Sequence, residues 1–275
     1  MGLLQGVTEL FPISSLGHSV ILPKLLGWNI NQSAPYFLTF LVATHLATAI
    51  VLFGFFWRDW IRILGGMVRS LRERKVDDAY ARLGWLLVVG TIPAGVLGLL
   101  LEDSLKKFFA SPQFAALFLA LNGVMLWLAD YLRRRSRVSS EEDPDIRLSK
   151  LSYTEVLKVG AAQALALLPG FSRTGAAMTG GLLSGLTHQD AARLSFLLAT
   201  PIIGAAAVLK LPELLAPTER GAVGPVLAGV VAAAVGAYLA VRFLTKYFET
   251  RTLRPFAVYC LIAGVAASIV YFLIH

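Results

Sequence analysis

Six apolar runs divide the chain, at about 36–57, 84–101, 114–132, 194–210, 222–241 and 255–274. Each has the roughly 17 to 25 residues that a helix needs to cross a bilayer. Two segments interrupt this pattern with small polar side chains, Pro and Gly: QGVTELFPISSLGHS at 5–19 and QALALLPGFSRTGAAMTGG at 163–181. Residues 1–11 can form helix until Pro12 stops or kinks it, and at 1.5 Å per residue that helix reaches only about half of the hydrocarbon core. The second segment is broken in the same way by Pro169 and Gly170. The pattern therefore predicts two re-entrant helix-loop-helix hairpins among six long transmembrane helices, an all-α integral membrane protein. Irregular backbone at membrane depth must be buried in protein or line a wet cavity.

The pattern also repeats. TFLVATHLATAIVL at 39–52 resembles SFLLATPIIGAAAVL at 195–209, an offset of 156. Pro12 and Ser15 stand 157 residues before Pro169 and Ser172, and FAALFLALNG at 114–123 echoes FAVYCLIAG at 256–264. The chain reads as one membrane domain, 1–275, made of two repeats at about 1–135 and 152–275 with a cytoplasmic loop at 136–151 between them. Three long runs per repeat is an odd number, so the copies enter the membrane from opposite sides and form an inverted-topology repeat. Such architectures place their site near the midplane, where broken helices from both halves meet.

Composition agrees with this reading: 56% of residues are hydrophobic and 15% charged, with a mean hydropathy of +0.68, against about 25% charged in soluble domains. Soluble enzymes are excluded. The net charge of +8 is not a nucleic-acid patch, because the basic residues fall in particular loops. Residues 58–82, 133–152 and 242–254 hold seven, six and four Lys/Arg, whereas 22–35, 102–113 and 211–222 hold one, two and one. Lys and Arg are retained on the cytoplasmic side, which places the C-terminus outside. Met1 is followed directly by GLLQGVTEL without a basic n-region or cleavage site, so the start is expected to belong to the fold rather than to a signal peptide. Cys260, the single cysteine, excludes an internal disulfide and reads as packing.

The polar segments carry the candidate chemistry. Gln5 and Glu9 are spaced i, i+4 and share a helix face; Ser15 and His18 follow at i, i+3 just past the break. A charged side chain at bilayer depth costs at least about 2.5 to 3.5 kcal/mol, so Glu9 and Arg173 are functional candidates, with a structural ion pair between them as the alternative. Arg supplies a planar fork matched to phosphate oxygens, and a Gly-rich turn opening a helix offers free N–H groups to an anion. PGFSRTG has both, making Gly170, Ser172, Arg173 and Thr174, with Ser14 opposite, the candidate phosphate cradle. Glu9 and Gln5 supply oxygen ligands of the kind Mg²⁺ takes together with substrate phosphates. Ser15 and His18 are the parts of a nucleophile and base. Taken singly, each has a plainer reading: Ser14, Ser15 and Thr174 as caps, His18 as an interior hydrogen-bonding residue. His45 and Asn122, isolated in apolar runs, read as packing or supporting groups, and Asp130, beside Arg133, as an interface marker.

Together, QGVTELFPISSLGH and PGFSRTGAAMTGG resemble the two signature regions of the undecaprenyl-diphosphate phosphatases of the bacitracin-resistance type, a family of bacterial integral membrane enzymes. The likeness extends over nearly the whole chain, WRDW at 57–60 included. The resemblance implies a multi-pass protein of the bacterial inner membrane that removes the terminal phosphate from a C55 polyprenyl diphosphate, returning the lipid carrier of peptidoglycan synthesis. It further implies a site open to the outer, periplasmic face and a divalent metal, Mg²⁺ or Ca²⁺. By the family's pattern Gln5 and Glu9 are its first motif, Ser15 the motif serine, His18 the essential histidine, and Pro169, Gly170, Ser172 and Arg173 its second motif.

The sequence departs from that pattern in three places. Thr174 stands for a serine, Ala177 for a threonine whose hydroxyl Thr174 or Thr179 would have to replace, and Gln5 is the less acidic of the family's two choices. Relatives also begin several residues further upstream, which is expected to shorten the first half-helix here. The expected partners are a polyprenyl diphosphate substrate and membrane lipid, with no nucleic acid; a homodimer stays open. Whether Ser15, His18 or water attacks phosphorus also stays open. A lipid-phosphate transporter or flippase using the same midplane anion site is the rival class.

Overall fold

The computed structural model describes residues 1–28, 35–109, 111–133, 143–209 and 223–274, and these are helical with no β-sheet. The expected loops at 22–35, 136–151 and 211–222 lie wholly or partly outside the described residues. The first hairpin is α1 (Gly2–Leu10) and α2 (Ser15–Leu25); the long α3 (Pro35–Phe55) follows, then α4 (Trp57–Glu73), α5 (Ala79–Phe109) and α6 (Pro112–Leu132). Past α7 (Pro144–Ser149) comes the second hairpin, α8 (Tyr153–Gln163), a 3₁₀ turn (Ala164–Leu167) and α9 (Arg173–Leu183), and then α10 (His188–Leu209), α11 (Val223–Tyr247) and α12 (Arg254–Ile274). Among the described residues, five helices are long and apolar enough to cross a membrane, within α5, α6, α10, α11 and α12. The pair Thr39–Phe55 and Trp57–Glu73, within α3 and α4, is bent by 82° and would add a sixth only if counted as one span. The protein is an all-helical, multi-pass membrane protein.

Both breaks follow from proline. A residue before proline is pushed out of the helical region, and Phe11 and Leu168, each ahead of a proline, are extended at φ −69°, ψ 146° and φ −89°, ψ 128°. After each break a serine restarts the helix: Ser14 Oγ accepts from the Gly17 N–H and Ser172 Oγ from the Gly175 N–H, both at 3.1 Å. Such caps satisfy donors that a helix start leaves orphaned. Gly170 adopts φ +111°, where a side chain is strained, and a Cβ there would run into the Ala115 carbonyl of α6.

Small residues set the packing. α1 rests on α11 and α8 on α5, while α3 lies against both α10 and α11. A Cβ on Gly6 would meet the Ala233 carbonyl, and one on Gly160 the Gly90 carbonyl, so the first arm of each hairpin lies backbone to backbone on a long helix. The α6 and α12 pair is closed by Gly123 against Ala257 O and Leu261 N and by Gly264 against Ala116 O. Close approach at small residues is how helices associate in lipid, where the hydrophobic effect gives no drive.

Two stretches read as loops are ordered helix instead. Residues 57–73, counted with a basic loop, form the amphipathic α4; within 136–151, α7 is capped by Asp143, whose carboxylate accepts from the Asp145 N–H at 2.8 Å. An ionic network, buried at its carboxylates Asp130, Asp145 and Asp190, pins these segments. Arg147 makes a fork to Asp190, at 2.6 and 3.1 Å. Arg193 bridges Asp145 at 2.8 Å and Asp59 at 2.9 Å. Asp130 is only 4% exposed and accepts from Arg254 and pairs with His188, each at 2.7 Å. It thus bridges α6, α10 and α12. The same pairings let α10 begin at His188, ahead of the apolar run at 194.

Candidate active site

The two breaks are stacked on each other. A Cβ on Gly17 would sit 3.0 Å from the Gly170 Cα. Ser172 donates its hydroxyl to Phe11 O at 3.2 Å, and Thr174 donates to Glu9 O at 3.2 Å. Asn122 of α6 clasps both turns, donating from Nδ2 to Pro12 O and accepting at Oδ1 from the Ser172 N–H, each at 3.0 Å. The supporting role expected of Asn122 is the one it has. Each of these bonds satisfies a main-chain group freed by a break, which an apolar surrounding demands.

On this frame Glu9 is the hub. Its Oε1 accepts from Arg173 Nη2 at 2.8 Å. Its Oε2 accepts from Ser15 Oγ at 2.5 Å and from Gln5 Nε2 at 3.1 Å, and lies 3.2 Å from His45 Nε2. Glu9 and Arg173 side chains are 8% and 14% exposed. Gln5, Glu9, Ser15 and Arg173, singled out from the sequence, therefore converge. His45 was missed as a site residue: a lone histidine in an apolar run carries no motif, and only the packing of α3 against α1 brings it to Glu9. Its Nδ1 donates to Leu41 O at 2.7 Å, which turns Nε2 toward Gln5 Nε2, at 3.0 Å, and toward Glu9.

Other expected residues occupy different positions. Ser14 and Ser172 spend their hydroxyl lone pairs as helix caps. His18 is buried on α2 one turn past Ser15, but its Nδ1 donates to Ser14 O at 2.6 Å and its Nε2 meets the Tyr259 hydroxyl at 2.8 Å, so it shares no hydrogen bond with Ser15 or Glu9. Thr179 does not replace the hydroxyl absent at Ala177, since it opens on a different cavity of about 490 Å³ with Leu132, Glu155 and Lys158. Thr174 is committed to Glu9 O.

Two buried atoms of the hub have no hydrogen-bond partner among the described residues: Arg173 Nη1 and Gln5 Oε1. An idle buried donor or acceptor costs about 1 to 3 kcal/mol. One is a cationic donor suited to a phosphate oxygen, the other a hard oxygen suited to a cation.

Comparison with known proteins decides the lineage. The family described as bacitracin resistance protein BacA matches residues 1–266. The chain belongs to that family. Proteins similar to this BacA-family chain include the undecaprenyl-diphosphatase of Mycolicibacterium paratuberculosis, 52% identical with 98% of this chain and 95% of the relative covered. That of Mycobacterium avium is 51% identical over the same shares. Undecaprenyl-diphosphatase 2 of Burkholderia orbicola is 46% identical, covering 100% and 96%. Gln5, Glu9, Ser15, His45 and Arg173 of this BacA-family chain all lie within the matched region.

Proposed function

We infer that this protein hydrolyses undecaprenyl diphosphate to undecaprenyl phosphate and inorganic phosphate, recycling the lipid carrier of cell-wall synthesis. Kinship with undecaprenyl-diphosphatases supports the activity, and one observation carries its assignment to the hub: Arg173 is held by Nη2 on Glu9 while Nη1, buried, has no partner among the described residues. A guanidinium fixed at one edge presents the other to a phosphate oxygen. The N-terminus of α9, where Arg173 is the first residue, adds a positive dipole end.

Ser15 is the nucleophile in this reading. Its hydroxyl already donates to Glu9, the arrangement of nucleophile and base with Arg173 orienting the base. Ser15 Oγ attacks the terminal phosphorus as Glu9 takes its proton; the bond from phosphorus to the bridging oxygen breaks and undecaprenyl phosphate leaves. Water then attacks the phosphoserine, the bond from phosphorus to Ser15 Oγ breaks, and Ser15 takes back the proton held by Glu9 as inorganic phosphate leaves. His18, on the Ser15 face of α2, accepts the proton of that water once the Tyr259 hydroxyl gives way. Arg173 neutralises charge on the transferring group in both steps.

A divalent cation, Mg²⁺ or Ca²⁺, fits the donors: Gln5 Oε1 is buried and idle, Glu9 is adjacent, and both are hard oxygens. Bound there with the substrate's own oxygens, such an ion supplies further charge neutralisation. The paired contacts of α1 with α11 and α8 with α5, and the mutual closure of α6 on α12 at Gly123 and Gly264, support two inverted repeats with re-entrant hairpins. The bias of Lys/Arg between loops supports a C-terminus on the outer side, and a site facing that side rests on kinship with the family.

The test is trapping with terminally labelled substrate. Label on Ser15 in the wild type, accumulating in His18→Ala and absent in Ser15→Ala, is the expected result. Label on His18, or on neither residue while phosphate is released, overturns the assignment. Release by purified protein in detergent, where no compartments exist, separates hydrolysis from transport.

A further inference from the structure

The α4 helix divides into three longitudinal faces. At about 100° per residue, Trp60, Ile63, Gly66 and Ser70 share one side and are buried, against α5, where Trp85 donates to Ser70 Oγ at 3.0 Å. Trp57, Ile61, Leu64, Val68 and Leu71 fall within about 80° of arc on a second side and are all exposed, from 47% at Leu64 to 63% at Leu71. Arg58, Arg62, Arg69 and Arg72 flank that stripe along its other edge, also exposed. Of these four only Arg69 has a carboxylate partner among the described residues, Asp78 at 2.9 Å.

The axis of α4 turns 82° from α3, so where α3 crosses the bilayer α4 runs along its surface. The elbow is fastened by Asp59 to Arg193 of α10 at 2.9 Å and by Phe56 stacked on Phe196. Ile50 and Phe53 of α3, residues of an apolar run just before the bend, are exposed as well.

We propose that α4 is an interfacial helix that binds anionic phospholipid: its apolar stripe lies in the outer part of the acyl layer and its arginine edge engages lipid phosphates. The division into apolar and basic edges is what a helix lying in the membrane plane requires. Charge complementarity selects the partner, because Arg forks match phosphate oxygens bidentately and basic residues beside a membrane favour anionic lipid. A partner protein would need an acidic, apolar groove inserted at lipid depth.

The test does not depend on the catalytic reading. Spin labels placed by Trp57→Cys, Ile61→Cys, Leu64→Cys and Leu71→Cys in reconstituted protein are read for depth by oxygen against a water-soluble nickel complex; Cys260 is buried and stays unlabelled. The expected result is one shared depth below the headgroups at all four positions. Depth changing steadily along the helix, or free access to nickel, overturns the proposal. In bilayers of mixed phosphatidylcholine and phosphatidylglycerol, the protein is expected to retain phosphatidylglycerol preferentially, with the preference falling several-fold when the four arginines become Gln and falling with salt. Retention that is unselective in the wild type, or unchanged in that variant, equally overturns it.

Discussion

Glu9 and Arg173, 164 positions apart, meet at 2.8 Å and join the two hairpins into one charged pair. The pair engages the guanidinium through Nη2 and leaves the buried Nη1 without a partner among the described residues. Replacing Arg173 by Lys keeps the charge but loses the fork. Phosphate release from Arg173→Lys is expected to fall about 100- to 1000-fold, the effect of losing one oriented donor to developing charge. An unaltered rate would mean that the second guanidinium edge never meets phosphate.

The three serines around the breaks separate structure from chemistry. Ser14 and Ser172 cap helices, and loss of a cap costs about 1 kcal/mol; Ser15 instead points at Glu9. Ser14→Ala is therefore expected to lower the melting temperature by a few degrees and retain most activity. Ser15→Ala should keep the melting temperature and lose activity at least about 1000-fold. Equal activity in the two variants, measured beside their melting curves, would remove Ser15 from the reaction.

His45 bears directly on Glu9 from a third element, α3, with Gln5 Nε2 within reach of both. Its Nδ1 is tied to Leu41 O, so the ring is aimed by its own helix. His45→Gln keeps a polar reach toward Glu9 and is expected to retain activity within about tenfold. His45→Leu leaves Glu9 and Gln5 short of a buried partner and is expected to lose about 100-fold. Steady-state phosphate release at several pH values checks both, and indistinguishable variants would reduce His45 to packing.

The hairpins were legible because proline and glycine punctuate an oily chain at Pro12, Pro169 and Gly170, and because Glu9 and Arg173 cost too much in lipid to be idle. What was hidden depends on contacts between distant elements. His45 resembles any solitary polar residue in a span until α3 is set against α1. The pairing of Asp130, Arg147 and Asp190 could not be read from the chain, because ion pairing, not hydropathy, is what lets them be buried. α4 looked like a loop since counting arginines for topology masks the three-to-four-residue spacing of Trp57, Ile61, Leu64, Val68 and Leu71. His18 followed its motif into α2, but its ring nitrogens are held by Ser14 and Tyr259, a partnership that sequence spacing does not encode.

The ionic network offers a last prediction, on stability. Arg147 and Asp190 have side chains 6% and 2% exposed and form a two-bond fork, so truncating either strands a buried charge at about 3 to 5 kcal/mol. Replacing both by apolar residues of similar volume removes the stranded charge along with the pair, and such swaps are often neutral. Arg147→Ala and Asp190→Ala are thus each expected to melt well below the wild type in detergent, while Arg147→Met with Asp190→Leu melts above either single variant. The network shares no hydrogen bond with Glu9 or Arg173, so the folded fraction of each protein should release phosphate at the wild-type rate. A double variant no more stable than the singles would show that the fork itself, rather than avoidance of a lone buried charge, holds α7 to α10.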